Sequence, residues 1–272
     1  MTNDTRQIGN NRARCFLDEL ANPYGIKHID NKPRVSSMPY TYDIAEGKVP
    51  QHAPVRRPGY NTDVDTGSNE VVAPCGGAYY WLPAAEQLLV ASTDADDTAA
   101  GNGARTVSIR GLDADYEIIT ETVTMNGTTN VQTTNEFLRV LMVRTATAGD
   151  TAANEGVITV NDATDTYVLS CIQVGENRAA YALYTVPANN TLYITSWGGS
   201  ESSSKGTDFT LWKRDFGGYF ERYRGENVID ASFTKGFDLP LEFGEKTDIE
   251  IRAIAVSNDA VVEAGFEGWR EW

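Results

Sequence analysis

Few residues of this chain could do covalent chemistry, and their placement argues against it. Histidine occurs twice, as His28 and His52, both in a proline-rich stretch. A Ser-His-Asp or Cys-His nucleophile needs a histidine held rigidly by a third group, which an irregular segment does not provide. Asp63, Asp65 and Glu70, in NTDVDTGSNE, suggest a calcium loop, because that ion takes oxygen ligands. Gly67 is nevertheless out of register for the EF-hand pattern. Asp94, Asp96 and Asp97, and later Asp162 and Asp165, are acidic turns of the same sort. Turn carboxylates commonly bond their own backbone. Asp and Glu are abundant, yet nothing singles out a pair for glycoside hydrolysis. GNG at 101–103 and Gly217-Gly218 lie between strand patterns, not at the strand-to-helix turn of a phosphate loop. The expectation is no catalytic residue, no cofactor and no metal site.

The most distinctive local chemistry is LWKRDFGGYFERYR, residues 211–224. It mixes Trp212, Phe216, Tyr219, Phe220 and Tyr223 with Lys213, Arg214, Arg222 and Arg224. Such a mixture could stack on sugars or on single-stranded nucleic acid. The simpler expectation is a hairpin turning at Gly217-Gly218, with aromatics toward a core or subunit interface and the cations outside.

The elements that must position these groups are strands. In residues 105–143, Val107 and Ile109 alternate with Thr106, Ser108 and Arg110, and Ile119, Val123 and Met125 alternate with Thr120, Thr122 and Thr124. A period of two places the sets on opposite faces of a strand. Asn126-Gly127 is expected to close a tight hairpin. Strands are predicted over 87–92, 105–110, 117–125, 137–146, 156–160 and 166–174. A second set falls over 179–186, 191–197, 208–213, 228–233, 239–243, 248–255 and 261–269. Ile249 and Ile251 are expected to face inward and Asp248, Glu250 and Arg252 outward, as are Val262, Ala264 and Phe266 against Glu263 and Glu267. The loop SWGGSESSSKGTD reads as flexible. Short strands spaced by polar turns indicate sandwiches.

The predicted organisation is all-β: an extended arm over 1–75, then two antiparallel, jelly-roll-like β-sandwich domains over 76–174 and 175–272. One short helix is expected in the arm over 13–20, ended by Pro23. Cys15, Cys75 and Cys171 are far apart and odd in number, so no disulfide framework is implied and plain thiols are expected. No apolar run approaches the ~20 residues that cross a bilayer. The N-terminal MTNDTRQIGNNRARCF does not resemble a secretory signal, which predicts synthesis in a cytoplasm.

Net charge is −15, unevenly placed: residues 1–60 carry 9 Lys/Arg against 6 Asp/Glu, and the remainder 14 against 32. An acidic body disfavours nucleic acid and anionic membrane as partners. A mildly basic arm suits an acidic neighbour, including another copy. Arg6, Arg12, Arg14, Arg56 and Arg57 would meet that surface, and Phe16, Leu17 and Leu20 would fill a groove. Deleting residues 1–60 is expected to leave the fold intact. Trp269 and Trp272 need cover from the sandwich or a neighbouring subunit. Self-association, with a trimer as first choice, follows.

The stretch GARTVSIRGLDADYEIITETVTMNGTTNVQTTNEFLRV, with TATAGDTAANEGVITV, resembles a segment of structural proteins of tailed bacteriophages. VPANNTLYITSW and FDLPLEFGEKTDIEIRAIAVSNDAVVEAGFEGW resemble the C-terminal β-domain of such proteins. Together these cover most of residues 101–269. The resemblance implies a non-catalytic role in a virion assembled in a bacterial host. A capsid decoration or cement protein clamping major capsid neighbours is the first reading. A tail, neck or fibre component that contacts glycans is the second. From another class, a free carbohydrate-binding module or glycan-active enzyme would fit a β-sandwich. The absent secretion signal and catalytic constellation argue against it.

Overall fold

The computed structural model describes residues 26–29, 32–35, 40–77, 79–229 and 231–272. The chain divides into two compact units between Pro54 and Val55. In the first, β1 (Ile26–Ile29) pairs antiparallel with β2 (Lys32–Val35), with Ile26 opposite Val35. A single turn-and-a-half of helix, α1 (Tyr40–Ala45), follows and buries Ile44. The Tyr40 hydroxyl lies 2.9 Å from His52 Nε2, and His52 Nδ1 lies 2.8 Å from the Pro50 carbonyl. His52 is thus tied into local structure, and His28 lies within β1. The helix expected over 13–20 lies outside the described residues.

The second unit holds the β-structure that the alternating patterns require. Its strands begin with β3 (His52–Val64), which enters from the first unit, and β4 (Glu70–Val71). Then come β5 (Glu86–Ser92), β6 (Ala104–Leu112), β7 (Ile118–Thr124), β8 (Val131–Phe137), β9 (Arg139–Ala148), β10 (Ile158–Asn161) and β11 (Val168–Ile172). The remainder are β12 (Leu183–Thr185), β13 (Thr191–Glu201), β14 (Thr207–Arg214), β15 (Glu221–Val228), β16 (Ser232–Phe243), β17 (Asp248–Ala255) and β18 (Ala260–Glu271).

These strands form two sandwiches. Sheet β11-β10-β5-β8 faces sheet β7-β6-β9 across a core that includes Leu88, Val90, Val107, Ile109, Phe137, Val143, Ile158 and Leu169. Sheet β12-β17-β14-β15, extended by β4, faces sheet β16-β13-β18-β3 across Trp197, Phe209, Leu211, Phe243, Ile251, Val262 and Phe266. Every strand pairing with a resolved register is antiparallel. Alternation is followed closely in β6, where Val107 and Ile109 are buried and Thr106, Ser108 and Arg110 half-buried. In β18, Val262, Ala264 and Phe266 are buried while Glu263 and Glu267 are exposed, as patterned.

Five expectations are corrected. First, Asn126-Gly127 does not close a two-residue hairpin. β7 pairs with β6 and β8 with β5, so the chain changes sheet at this point. The Gly127 amide donates to Asp97 O, and Gly127 O accepts from Ser92 N. Second, much of the expected arm is sheet. Val55 and Val64 are buried in the second core, and β3 is the outer neighbour of β18. Gly59 shows why: a Cβ there would lie 2.2 Å from Val72 O and 2.3 Å from Ala182 N. Deleting residues 1–60 would therefore remove part of a core strand. Third, SWGGSE belongs to β13. Trp197 is buried, and Glu201 accepts hydrogen bonds from Ser203 N and Lys205 N. Fourth, β8 and β15 are strands that the hydrophobic pattern did not mark. They are polar on at least one face and sit at or near sheet edges.

Fifth, Cys75 and Cys171 form a disulfide, with Cα atoms 6.4 Å apart across a sequence separation of 96. Cys15 lies outside the described residues. Spacing in sequence could not reveal this pair, because the fold returns β11 to the segment that precedes the first sandwich. The Tyr80 amide donates to Val168 O at 3.1 Å beside the bridge.

Closing a loop of this length restricts the unfolded chain, and the typical contribution is about 2–4 kcal/mol. Cys171→Ser should lower the denaturant-derived stability by that amount. The double replacement Cys75→Ser/Cys171→Ser should cost no more than either single change. Equal stability of oxidised and reduced wild type would show that the bridge does not constrain the fold.

Candidate functional site

The densest chemistry in the molecule lies on the outward face of β17, where solvated carboxylates were expected. Asp248 and Glu250 are buried. Their strand is covered on both sides, because Ile249 and Ile251 face the second core while the opposite face meets the first sandwich. A charge cannot be left alone in such a place, since desolvation costs several kcal/mol.

Two arginines resolve the problem for Asp248. Arg139, at the start of β9, donates from Nε at 3.0 Å and Nη2 at 3.2 Å. Arg214, directly opposite Asp248 in the β14–β17 ladder, donates from Nε at 2.9 Å and Nη2 at 2.5 Å. Thr185 Oγ1 donates at 2.5 Å. Arg139 Nη1 also donates to the Leu82 and Leu138 carbonyls, both at 2.8 Å. Burial disfavours the Arg139 charge, but Asp248 outweighs it and leaves that pKa raised. Glu250 accepts from Trp81 Nε1 at 2.9 Å and is paired with Arg252. Burial raises the Glu250 pKa; Arg252, the Trp81 hydrogen bond and Arg214 oppose that shift.

Aromatic rings close the cluster. Arg139 and Arg214 lie 5.1 and 5.2 Å from the Trp81 ring, and Arg214 lies 4.6 Å from Phe220. Arg252 lies 4.6 Å from Trp212 and 4.9 Å from Phe220. Stacking of a guanidinium on a ring is worth about 0.5–2 kcal/mol. Each carboxylate here is engaged by donors of its own chain. The cluster can hold the two sandwiches in register; it offers no unengaged base or nucleophile.

The other acidic candidates separate in the same way. Buried Asp97 accepts from Ser92 Oγ, Ala104 N, Glu155 N and Gly156 N at 2.5–2.9 Å. Asp162 accepts from Thr166 N and Tyr167 N, both at 2.7 Å, and Asp165 from Asn161 and Asn130. Asp94 accepts from Asp96 N. These are loop braces. Of the calcium-like group, Glu70 turns away to accept from Asp65 N and Asn61 Nδ2. Asp63 and Asp65 instead converge with Asp259, with carboxylate oxygens within 4.8 Å of one another. All three are solvent-facing, and Asp65 raises the Asp63 pKa.

The expected interface residues scatter. Arg6, Arg12, Arg14, Phe16, Leu17 and Leu20 lie outside the described residues. Arg56 is exposed on β3, 3.8 Å from Glu267. Arg57 is spent inside the chain: Nη1 donates to Leu141 O at 2.9 Å, and the guanidinium stacks on Tyr184. Trp269 stacks on Tyr193, with ring centroids 5.4 Å apart. Trp272 is half-exposed and meets Arg270.

The 211–224 segment does turn at Gly217-Gly218, but its aromatics divide. Trp212 and Phe220 join the arginine cluster, while Phe216 and Tyr219 project into solvent, Tyr219 at 92% exposure. β15 is an edge strand whose first five residues are all exposed. The other sheet ends in β16, which follows directly. Between Ile194↔Leu241 and Ser196↔Gly236, residues 237–240 bulge out opposite Thr195 alone. Leu239 sits on that bulge at 84% exposure. One side of the second sandwich therefore presents two neighbouring edges, joined by the Lys235–Glu226 ion pair, with Tyr219 and Ile229 exposed at the two ends of β15 and Leu239 exposed on β16. Sequence pattern could not separate the two roles within 211–224, because alternation does not say which face another part of the chain will cover. No helix among the described residues is long and apolar enough to cross a membrane.

No protein-family model matches the chain, and no curated protein matches it. Among solved structures it is similar to that of infectious bursal disease virus, Gt strain, at 13% identity and a TM-score of 0.22, over 86% of this chain and 77% of that one. It is also similar to the VP2 subviral particle of infectious bursal disease virus at 13% identity and a TM-score of 0.18, over 81% and 72%. A TM-score of this size does not establish a shared fold.

Two measurements test the cluster. Asp248→Ala leaves both Arg139 and Arg214 facing a buried void and should cost about 3–5 kcal/mol in denaturant unfolding. Arg139→Ala should cost less, because Arg214 still pairs Asp248. The reverse order would refute the pairing. Glu250→Gln probes the pH dependence. A raised folded-state value means that the folded protein takes up the proton before the unfolded chain does. Stability of the wild type relative to Glu250→Gln should rise as pH falls toward the ordinary value of 4.5, then level off below it. A difference independent of pH would remove Glu250 as a titrating group.

Proposed function

We propose that this chain is a non-enzymatic structural protein of a virus particle that works by self-association and contact with other virion proteins. The observation that carries the reading is the paired edge of the second sandwich, β15 and β16. Long open edges in a monomer invite uncontrolled pairing. Here Arg222, Arg224 and Lys235 guard the edge, and Pro240 removes an amide donor from the bulged part of β16. Exposed Tyr219 and Ile229 flank β15, and exposed Leu239 sits on the β16 bulge. Charges that select a partner around apolar groups that are buried on docking describe a specific interface. The strongly acidic body of a second copy complements the arginines.

The finer assignment is a decoration or cement protein of a tailed-phage head, assembled as a trimer on major capsid neighbours. It rests on the resemblance of residues 101–269 to tailed-phage structural proteins. In this reading the tether is shorter than the sequence suggested and ends before α1. Arg6, Arg12, Arg14, Phe16, Leu17 and Leu20 would belong to it, and Arg56 and Arg57 would not.

Sedimentation of the purified chain should show a concentration-dependent oligomer. Leu239→Lys with Tyr219→Ser should weaken the association at least ~10-fold without changing the unfolding midpoint measured on the dilute, dissociated chain, since both side chains are free of the core. Removing residues 1–39, which include the β1–β2 hairpin, should leave the second unit folded and reduce recovery of the protein in purified particles. A chain that is monomeric at every concentration and absent from particles would end the proposal.

A further inference from the structure

We propose that the cleft beside the arginine cluster binds the pyranose rings of a neutral oligosaccharide. The cleft measures about 390 Å³ and lies between the segment carrying Tyr80 and Trp81 on one side and β4 with β17 on the other. That volume falls at the small end of ligand sites, which run to about 300–1,000 Å³. It suits one or two sugar rings better than a length of polypeptide.

Its walls have complementary chemistry. Tyr80 and Tyr167 stack face to face, with centroids 4.1 Å apart and planes 13° apart. Tyr167 remains 48% exposed. Each ring covers one face of the other, so the platform offered to a sugar is the outer face of half-exposed Tyr167, flat and apolar with a hydroxyl at its rim, which matches a sugar ring with its C–H face and hydroxyl edge. Facing it are Asn69, Glu70 and Arg252. Together they supply donors and acceptors for vicinal hydroxyls.

The polar groups are already oriented. Asp65 N and Asn61 Nδ2 fix the Glu70 carboxylate at 2.9 and 3.0 Å. Arg252 is held by Glu250 and by stacking on Trp212. Groups that need no ordering lose less entropy on binding. The aromatic wall is equally fixed. The Cys75–Cys171 bridge and the Tyr80–Val168 hydrogen bond fasten it to β11. Gly77 lets it pass close to β4: φ is +65°, and a Cβ would lie 2.8 Å from both Val71 O and Asn61 Nδ2.

Charge selects the ligand class. Arg252 is already paired with buried Glu250, and Glu70 adds a further carboxylate, so the lining offers no uncompensated cation and disfavours acidic sugars and phosphates. Single-stranded nucleic acid would need a basic groove, which the cleft is not. The inference rests on the cleft alone and stands or falls separately from the assembly reading.

The test is a glycan array of neutral and acidic oligosaccharides probed with the oxidised full chain, followed by calorimetric titration of the best neutral binder. A neutral oligosaccharide should bind at least ~10-fold more tightly than acidic ones of equal length. Tyr167→Ala should weaken it at least ~10-fold with the thermal unfolding midpoint unchanged. Should Tyr167→Ala perturb folding, Asn69→Ala, at an exposed rim position, should weaken it several-fold. Reduction of the disulfide should also lower affinity. No neutral binder on the array overturns the proposal. So does affinity retained in a folded Tyr167→Ala or in Asn69→Ala, or a cleft that takes a proline-rich peptide instead.

Discussion

The Asp248 carboxylate, buried between Arg139 and Arg214, is the interaction on which the architecture turns. Its strand is the central member of a sheet that serves two cores. Ile249 and Ile251 belong to one sandwich, while Asp248 and Glu250 reach the elements of the other. A wholly apolar face would also have held the halves together, often with greater stability, since burying ions gains little over hydrophobic packing. What the ions add is direction. Arg139 satisfies Asp248 only when β9 and β17 stand in one register, and its remaining donors reach the Leu82 and Leu138 carbonyls only in that same position. A slipped arrangement would leave charges stranded.

How much was legible in the sequence follows from what each pattern reports. Val107 and Ile109, or Val262 and Phe266, face a core because a strand with one wet side must alternate. The same rule assigned Asp248 and Glu250 to water, and failed, because alternation records two faces and not what lies beyond each. Asn126-Gly127 reads as a hairpin from local conformation alone. Its amide instead answers Asp97, which is buried by a loop that periodicity does not register. β3 was hidden by its prolines, Pro54 and Pro58, which an outer strand tolerates because one of its edges needs no donors.

The site residues divide similarly. Asp162 was legible as a brace because its partners, Thr166 N and Tyr167 N, lie in the same turn; Asp97 was legible only in its local bonds to Ser92 and Ala104, and its bonds to Glu155 N and Gly156 N come from a distant loop. The arginine cluster was not, since Arg139 and Asp248 are joined only through the tertiary fold. Within residues 211–224, Trp212 and Tyr219 have similar chemistry and opposite fates. One lies against Arg252 and the other in solvent. Only the position of β17 decides between them.

The disulfide has a mechanical consequence. Cys75 precedes β5 and Cys171 lies in β11, so the covalent loop contains nearly all of the first sandwich. Tension applied along the backbone from one terminus to the other passes directly from Cys75 to Cys171. Strands β5 to β10 lie off that path and carry no load. The shunted residues would otherwise lengthen the chain by roughly 3.3–3.6 Å each when pulled straight. A chain under stretch can therefore yield at its second sandwich while the first keeps its shape.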